Sequence, residues 1–271
     1  MLLSLKGKRA LVTGASSGIG AATALSLATE GVKVVVHGRD EGRTNGIVEQ
    51  IRQSGGIAEP ILGDISVTES AAGVAAAADA AFGGIDILVN NAGGPSDPSL
   101  GLQFFDLDAE HWIATYERNV ISCLNLATYF SPQMVERGWG RIIQVTSGLS
   151  FNPLGLQGDY AASKAALNNF SFNMSHALKN TGVTVNGVSP GMTVTPMLEK
   201  WLADVAAEAG QDADPRLGER IVLDNMIRLT VDRLGKPQDL ANAITFLASP
   251  LADYINGTTI RVDGGGSSAV H

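Results

Sequence analysis

Arg9-Ala10-Leu11-Val12-Thr13-Gly14-Ala15-Ser16-Ser17-Gly18-Ile19-Gly20 is the stretch on which the fold turns. A short apolar run breaks into glycines, and a helical stretch rich in Ala and Leu follows over residues 21–30, stopping at Gly31. Strand, glycine turn and helix in that order open a β–α unit. Glycine lets the backbone turn tightly and approach a ligand, while the first turn of the helix presents unpaired N–H groups to an anion such as a pyrophosphate. The spacing is Gly-x3-Gly-x-Gly, not the Gly-x-Gly-x-x-Gly of the common dinucleotide fingerprint. The turn alone therefore also admits a plain tight connection; its place after the first strand favours the ligand.

Outward from this turn the alternation repeats. A β-branched run at 32–37 is followed by polar helix-period sequence and a third strand at 57–62. A helix over 67–82 leads to a strand at 85–89, which ends in Asn90-Asn91-Ala92-Gly93. A long helical segment over 109–137 precedes a strand at 141–146, and a helix over 159–179 leads to 183–188 and then Ser189-Pro190-Gly191. A helix at 237–248 precedes the last strand at 258–262. Strands this uniformly apolar suit a parallel sheet covered by helices on both faces. The pattern predicts an α/β fold, one doubly wound Rossmann-type domain over residues 1–271 with a seven-stranded parallel sheet. Residues 192–234 interrupt the alternation at the carboxyl edge of the sheet and read as a substrate lid.

Composition narrows the function. With 45 % hydrophobic and 17 % charged residues in a 271-residue chain, disorder is excluded for the bulk. Lys+Arg 19 against Asp+Glu 27 gives a net charge of −8 without a basic cluster, so neither nucleic acid nor an anionic membrane is an expected partner. The single cysteine, Cys123, leaves no intrachain disulfide, and the four histidines (37, 111, 176 and 271) lack metal-binding spacing, so no metal is expected. No apolar run approaches a membrane span, and a cytoplasmic location is the expectation.

Several weaker signals converge on one chemistry. Tyr160 and Lys164 stand four residues apart on a helix, hence on one face. Ser147 lies 13 residues before Tyr160, just past a strand, and Asn119 lies inside the long helix before that strand. A phenol near neutrality is a sluggish acid–base group, and an ammonium one turn away should favour the phenolate and lower its pKa.

Taken with Gly14, Gly18 and Gly20, residues 90–93, Ser189-Pro190-Gly191 and a tail of the form Arg233-Leu234-Gly235-Lys236-Pro237 … Asp263-Gly264-Gly265, the set resembles the short-chain dehydrogenase/reductase family over essentially the whole chain. It is generally similar to the 3-oxoacyl thioester reductases within that family. The resemblance implies an NADP- or NAD-dependent oxidoreductase, with Tyr160 as acid/base, Lys164 as its tuner and holder of the nicotinamide ribose, Ser147 on the substrate oxygen, and Asn119 holding a water in a proton relay. It implies cofactor contacts from Gly14, Ser16, Ser17, Gly18, Ile19 and Gly20 at the first turn, and from Asp64 and Ile65 beside adenine. Asn91, Ala92 and Gly93 would run beneath the adenine-side ribose, and Pro190, Gly191, Thr193 and Thr195 would meet the nicotinamide. A dimer or tetramer is implied too, built on the helices at 109–137 and 159–179.

Cofactor choice is read just past the second strand, in Val36-His37-Gly38-Arg39-Asp40. An acidic residue there would accept both ribose hydroxyls of NAD, whereas an arginine matches the 2′-phosphate of NADP. Gly38 offers no carboxylate and Arg39 follows, so NADP(H) is favoured over NAD(H), with Asp40 a competing partner for Arg39. The loops at 94–102, 148–158 and 192–201 carry no Arg or Lys except Lys200 beyond the lid's first turn, and Leu149, Phe151, Leu154, Leu156, Gln157, Met197 and Trp201 suggest a mostly apolar pocket. A small-molecule carbonyl or secondary alcohol of modest polarity is the expected substrate. The rival reading is a non-catalytic dinucleotide-binding redox sensor or scaffold, which has no need of a tuned phenol.

Overall fold

The computed structural model describes residues 3–95 and 103–267. Seven strands, β1 (Arg9–Val12), β2 (Lys33–Gly38), β3 (Ile57–Leu62), β4 (Ile87–Asn90), β5 (Gly140–Val145), β6 (Val183–Pro190) and β7 (Thr259–Val262), form one sheet in the order β3-β2-β1-β4-β5-β6-β7. Every neighbouring pair is parallel. The order reverses between β1 and β4, where helices leave for opposite faces and a crevice opens at the carboxyl ends of the strands.

The helices are α1 (Gly18–Thr29), α2 (Glu41–Gln53), α3 (Thr68–Phe82), α4 (Ala109–Tyr116), α5 (Ser122–Glu136), α6 (Gly158–Ala177), α7 (Pro196–Glu208), α8 (Pro215–Asn225) and α9 (Pro237–Leu247). The two-residue period of the strands divides their side chains between two cores. Val12, Val34, Val36 and Val89 pack against Leu27 of α1 and Leu240 and Ile244 of α9. Leu11, Val35, Leu88 and Ile142 pack against Val74 of α3 and Leu126 and Phe130 of α5. At the edge, β3 departs from the uniformly apolar strands read from sequence. It has one neighbour, carries Glu59 and Pro60, and leaves Ile57 and Leu62 exposed.

The segment at 109–137 is not one helix. A π-helical turn at Glu117–Ile121 separates α4 from α5, and Asn119 stands inside it. A residue is inserted into the α-helical period there, so side chains before and after it point to different neighbours.

Residues 192–234 carry a small core of their own, Leu202, Val222 and Leu234, separate from the two that cover the sheet. The two ends of this insertion are stitched together. Val194 N–H donates to Gly235 O at 2.8 Å, and Gly235 N–H donates to Met192 O at 2.9 Å.

Candidate active site

A cleft of about 840 Å³ opens at the carboxyl ends of the central strands, in the size range of small-molecule sites. Its walls include Gly14, Ser16, Ser17, Gly18, Ile19, Arg39, Asp64, Ile65, Asn91, Ala92, Gly93, Ser147, Tyr160, Lys164, Pro190, Gly191, Thr193 and Thr195. Residues far apart in sequence thus meet in one place, because the loops and helix starts that carry them follow strands that end there.

At one end of the cleft lies the start of α1. Gly18 takes a left-handed φ of +55°, which glycine adopts without strain. No acidic residue occupies the first turn, and Ser17, the N-cap residue, makes no side-chain capping bond. The helix therefore directs its unpaired N–H groups and its positive end into the cleft. Gly20 does not reach it. A Cβ on Gly20 would stand 2.3 Å from Gly14 O and 2.5 Å from Asn91 Nδ2, so this glycine serves the packing of α1 on the turn.

Two residues beyond the expected set lock the loops around that end. Thr13 Oγ1 accepts the N–H groups of Asn91 and Ala92, both at 3.0 Å, and Asn91 Nδ2 donates to Thr13 O at 2.8 Å and Gly14 O at 3.2 Å. Asn91 is thus a clamp between the β1 and β4 loops. The buried His37 side chain accepts from Gly14 N–H through Nδ1 at 3.4 Å and faces Gly63 O through Nε2 at 3.1 Å, which makes Nε2 the protonated nitrogen. Burial pushes the His37 pKa down, against the Gly63 hydrogen bond.

The end of β2 explains the choice of glycine at position 38. A Cβ there would lie 2.3 Å from Thr44 Oγ1 and 3.0 Å from Ser16 Cβ. Thr44 Oγ1 is held by its own bond to Asp40 O at 2.7 Å. A carboxylate side chain at position 38 has no room. Arg39 is exposed and reaches Asp64 Oδ2 at 3.4 Å, while Asp40 caps α2 through Arg43 N–H at 2.8 Å and faces Arg43 Nε at 3.4 Å. The expected competitor of Arg39, Asp40, is engaged elsewhere; the partner is Asp64. Asp64 in turn accepts from Ser66 Oγ at 2.6 Å, the main cause of its lowered pKa. Arg43 also lines the cleft, a second cation that the sequence alone did not single out.

At the other end stand Ser147, Tyr160 and Lys164. Ser147 caps a short helical turn, its Oγ accepting from Leu149 N–H at 3.2 Å, and lines the cleft beside Tyr160. Lys164 is almost wholly buried, donates to Val145 O at 2.8 Å and sits 5.7 Å from the Tyr160 ring centre. Burial lowers the Lys164 pKa to about 8. Burial also raises the phenol, with the nearby Ser147 hydroxyl acting against it. This corrects the expectation that the ammonium lowers the phenol. The low dielectric that would strengthen the pair's attraction also penalises both charges, and the ammonium is turned toward a carbonyl of β5.

Asn119 lies behind the wall, fully buried. Its Oδ1 accepts from Gly94 N–H, and its Nδ2 donates to Gly94 O and Thr115 O, each at 2.9 Å. Its amide fastens the π-helical turn to the loop after β4. It also stays near Lys164, since a Cβ on Gly93 would meet Asn119 Oδ1 at 2.5 Å and Lys164 Nζ at 3.1 Å.

The pocket loops depart most from the sequence reading. Leu149, Phe151, Leu154, Leu156, Gln157 and Trp201 are not among the lining residues, and residues 96–102 of the loop after β4 lie outside the described residues, as does His271. Gly94, Pro95, Pro196 and Met197 do line the cleft, and so does Arg118, whose Nη1 donates to Pro95 O at 2.6 Å. A cation therefore enters from a helical turn where the loops supplied none.

The family model described as short chain dehydrogenase matches residues 8–206. This chain belongs to the short-chain dehydrogenase family. It is 36 % identical over 264 residues to the 7α-hydroxysteroid dehydrogenase of Escherichia coli K12, covering 97 % of this chain and 96 % of that one. The solved structure of L-sorbose reductase from Gluconobacter frateurii, in complex with NADPH and L-sorbose, is 31 % identical with a TM-score of 0.92 and full coverage of both chains. A 7α-hydroxysteroid dehydrogenase structure with NADH and 7-oxo-glycochenodeoxycholic acid is 33 % identical with a TM-score of 0.82, covering 100 % of this chain and 98 % of the other. This short-chain dehydrogenase is accordingly an oxidoreductase. Among its described residues no helix is long and apolar enough to cross a membrane.

Proposed function

We propose that this enzyme transfers hydride between NADP(H) and a small carbonyl or secondary alcohol, with Tyr160 as acid/base. The observation that carries the reading is the placing of the Ser147–Tyr160 hydroxyl pair and Lys164 in the same cleft as the open start of α1. A sensor or scaffold has no use for such a pair.

The residues present suit a dinucleotide. The first turn of α1 accepts a pyrophosphate, and Ser16, Ser17 and Arg39 offer donors to a 2′-phosphate where Gly38 leaves no space for a ribose-binding carboxylate. The bound nicotinamide supplies or accepts the hydride. Ser147 Oγ holds the substrate oxygen, and Tyr160 Oη gives it a proton during reduction or removes one during oxidation. Lys164 holds the ribose, stabilises the phenolate when it forms, and hands protons onward past Asn119. Asp64 and Ile65 flank adenine.

NADP(H) preference rests on Arg39 and Gly38, and the two structural relatives described above hold NADPH in one case and NADH in the other. Substrate class follows the same mixture. One relative holds a sugar and the other a steroid, while this cleft combines Met197 and Pro95 with Arg118. The insertion at 192–234 acts as a lid: it has its own core, joined at its base, and the Thr195 methyl lies 3.1 Å from where a Cβ on Gly18 would stand. Exposed apolar residues on α4, the π-helical turn, α5 and α6, such as Ile113, Ile121, Tyr129 and Phe172, support a homodimer or homotetramer, with a cytoplasmic setting the reading from composition.

The test is a paired titration of NADPH and NADH, followed by cofactor oxidation with a panel of ketones and aldehydes. Tighter NADPH binding with turnover of a panel member is expected. Tighter NADH binding would overturn the phosphate reading, and binding without turnover across the panel would favour the sensor.

A further inference from the structure

Asp159, the residue before Tyr160, is the least explained polar group near the site. Its side chain is fully buried, yet only one oxygen is partnered: Oδ2 accepts from Thr115 Oγ1 at 2.5 Å, and Oδ1 has no partner. A buried carboxyl group with an unmatched oxygen costs free energy that an apolar side chain in the same space would avoid. The place of the contact suggests what it secures.

Thr115, also fully buried, belongs to α4 and faces two ways. Its hydroxyl donates to Asp159, and its carbonyl accepts from Asn119 Nδ2 at 2.9 Å. Asn119 then grips both the N–H and the carbonyl of Gly94. A continuous line of hydrogen bonds therefore runs from the first turn of α6 through α4 and the π-helical turn to the loop after β4. A second contact meets the start of α6 from the short turn at Phe104–Asp106 that precedes α4: the Phe104 ring lies where a Cβ on Gly158 would stand, its Cδ2 2.6 Å away. The entry to α6 is also set by Gln157, which takes a left-handed φ of +51°.

We infer that Asp159 is a positioning residue: through Thr115 it fixes α6, and with it Tyr160 and Lys164, against the turn that carries Asn119. The inference rests on the hydride-transfer reading above. Neither Asp159 nor Thr115 lines the cleft, so neither touches substrate or cofactor.

The test compares Asp159→Ala, Asp159→Asn and Thr115→Val with the wild-type enzyme, using any carbonyl compound the latter reduces. Asp159→Ala should lower kcat by on the order of 100-fold, the scale of an ångström-sized misplacement, with a much smaller weakening of NADPH binding, felt through Lys164. Asp159→Asn keeps an acceptor for the Thr115 hydroxyl and should recover most of the loss. Thr115→Val, nearly the same shape, should lower kcat in the same direction even where Asp159→Ala folds poorly. Wild-type kcat in both Asp159→Ala and Thr115→Val, or equal losses in the Ala and Asn variants, would overturn the inference. If the wild-type enzyme reduces no carbonyl, the failure lies with the hydride-transfer reading. Hydrogen exchange across residues 109–122 and 158–164 then decides for the clamp if Asp159→Ala speeds it and against it if the rates stay unchanged.

Discussion

Two helices begin at the cleft and use their first turns in opposite ways. The start of α1 has no acidic residue and no side-chain cap, so its N–H groups remain for a ligand. The start of α6 contains its own carboxyl group, Asp159, buried and bonded to Thr115. Neither start has a side-chain cap, but the partial positive charge has an acidic residue within its first turn in α6 and none in α1. On the proposed function the two helices have different roles: α1 receives the cofactor's phosphates, whereas α6 holds Tyr160 and Lys164 in place. An element that positions chemistry is bonded inward, and an element that receives an anion is left unfilled.

The largest effect expected of any single change lies at α6. Tyr160→Phe should lower turnover about 10²- to 10⁴-fold while NADPH binds as before, measured by steady-state kinetics alongside fluorescence titration. If binding fell together with turnover, the division between the two helices would break. Next comes the end of β2, which extends the binding side. Arg39→Ala should weaken NADPH by about tenfold or more and leave NADH nearly unchanged, by the same titration. Gly38→Asp should not create an NADH enzyme, since its Cβ would stand 2.3 Å from Thr44 Oγ1; improved NADH use would contradict the packing described there.

A smaller effect concerns protons. The folded-state pKa of Lys164 is about 8, below its ordinary value near 10.5. Between about pH 8 and 10 the unfolded chain holds a proton that the folded chain has released, so this group makes stability rise with pH in that window. Denaturant unfolding of Lys164→Met should lack that rise. His37 acts at the other end of the scale. Its folded-state pKa is lowered, so its contribution is present above the unfolded value near 6.5 and is lost on acidification.

Sequence disclosed the frame and the chemistry better than the walls between them. The β–α alternation located all seven strands, because buried parallel strands are bounded by glycine-rich turns that periodicity makes visible. Tyr160, Lys164 and Ser147 stood out only through the family resemblance, since their spacing alone is common, and the fold brings all three to one cleft. The π-helical turn was not, since an inserted residue leaves helix propensity unchanged and only shifts the phase of the buried face. Arg118 was missed for the same reason: a loop-by-loop search for cations passes over a helical segment whose turn faces the cleft. Leu149, Phe151 and Trp201 erred the other way, as apolar residues, in the segments that follow strand ends, which do not line the cleft in space. The direction of the Tyr160 shift depends on burial, and spacing along a helix carries no measure of burial.

The contrast between the two helix starts is tested most directly by Ser17→Asp, which gives α1 the carboxylate that it lacks. Thermal unfolding without ligand and calorimetric titration with NADPH are measured on the same protein. The expected result is a fold at least as stable as the wild type, gaining within about 1 kcal/mol from the helix dipole, together with loss of NADPH binding. Wild-type affinity in this variant would contradict it, because the first turn of α1 would then not be where the cofactor's phosphates are held.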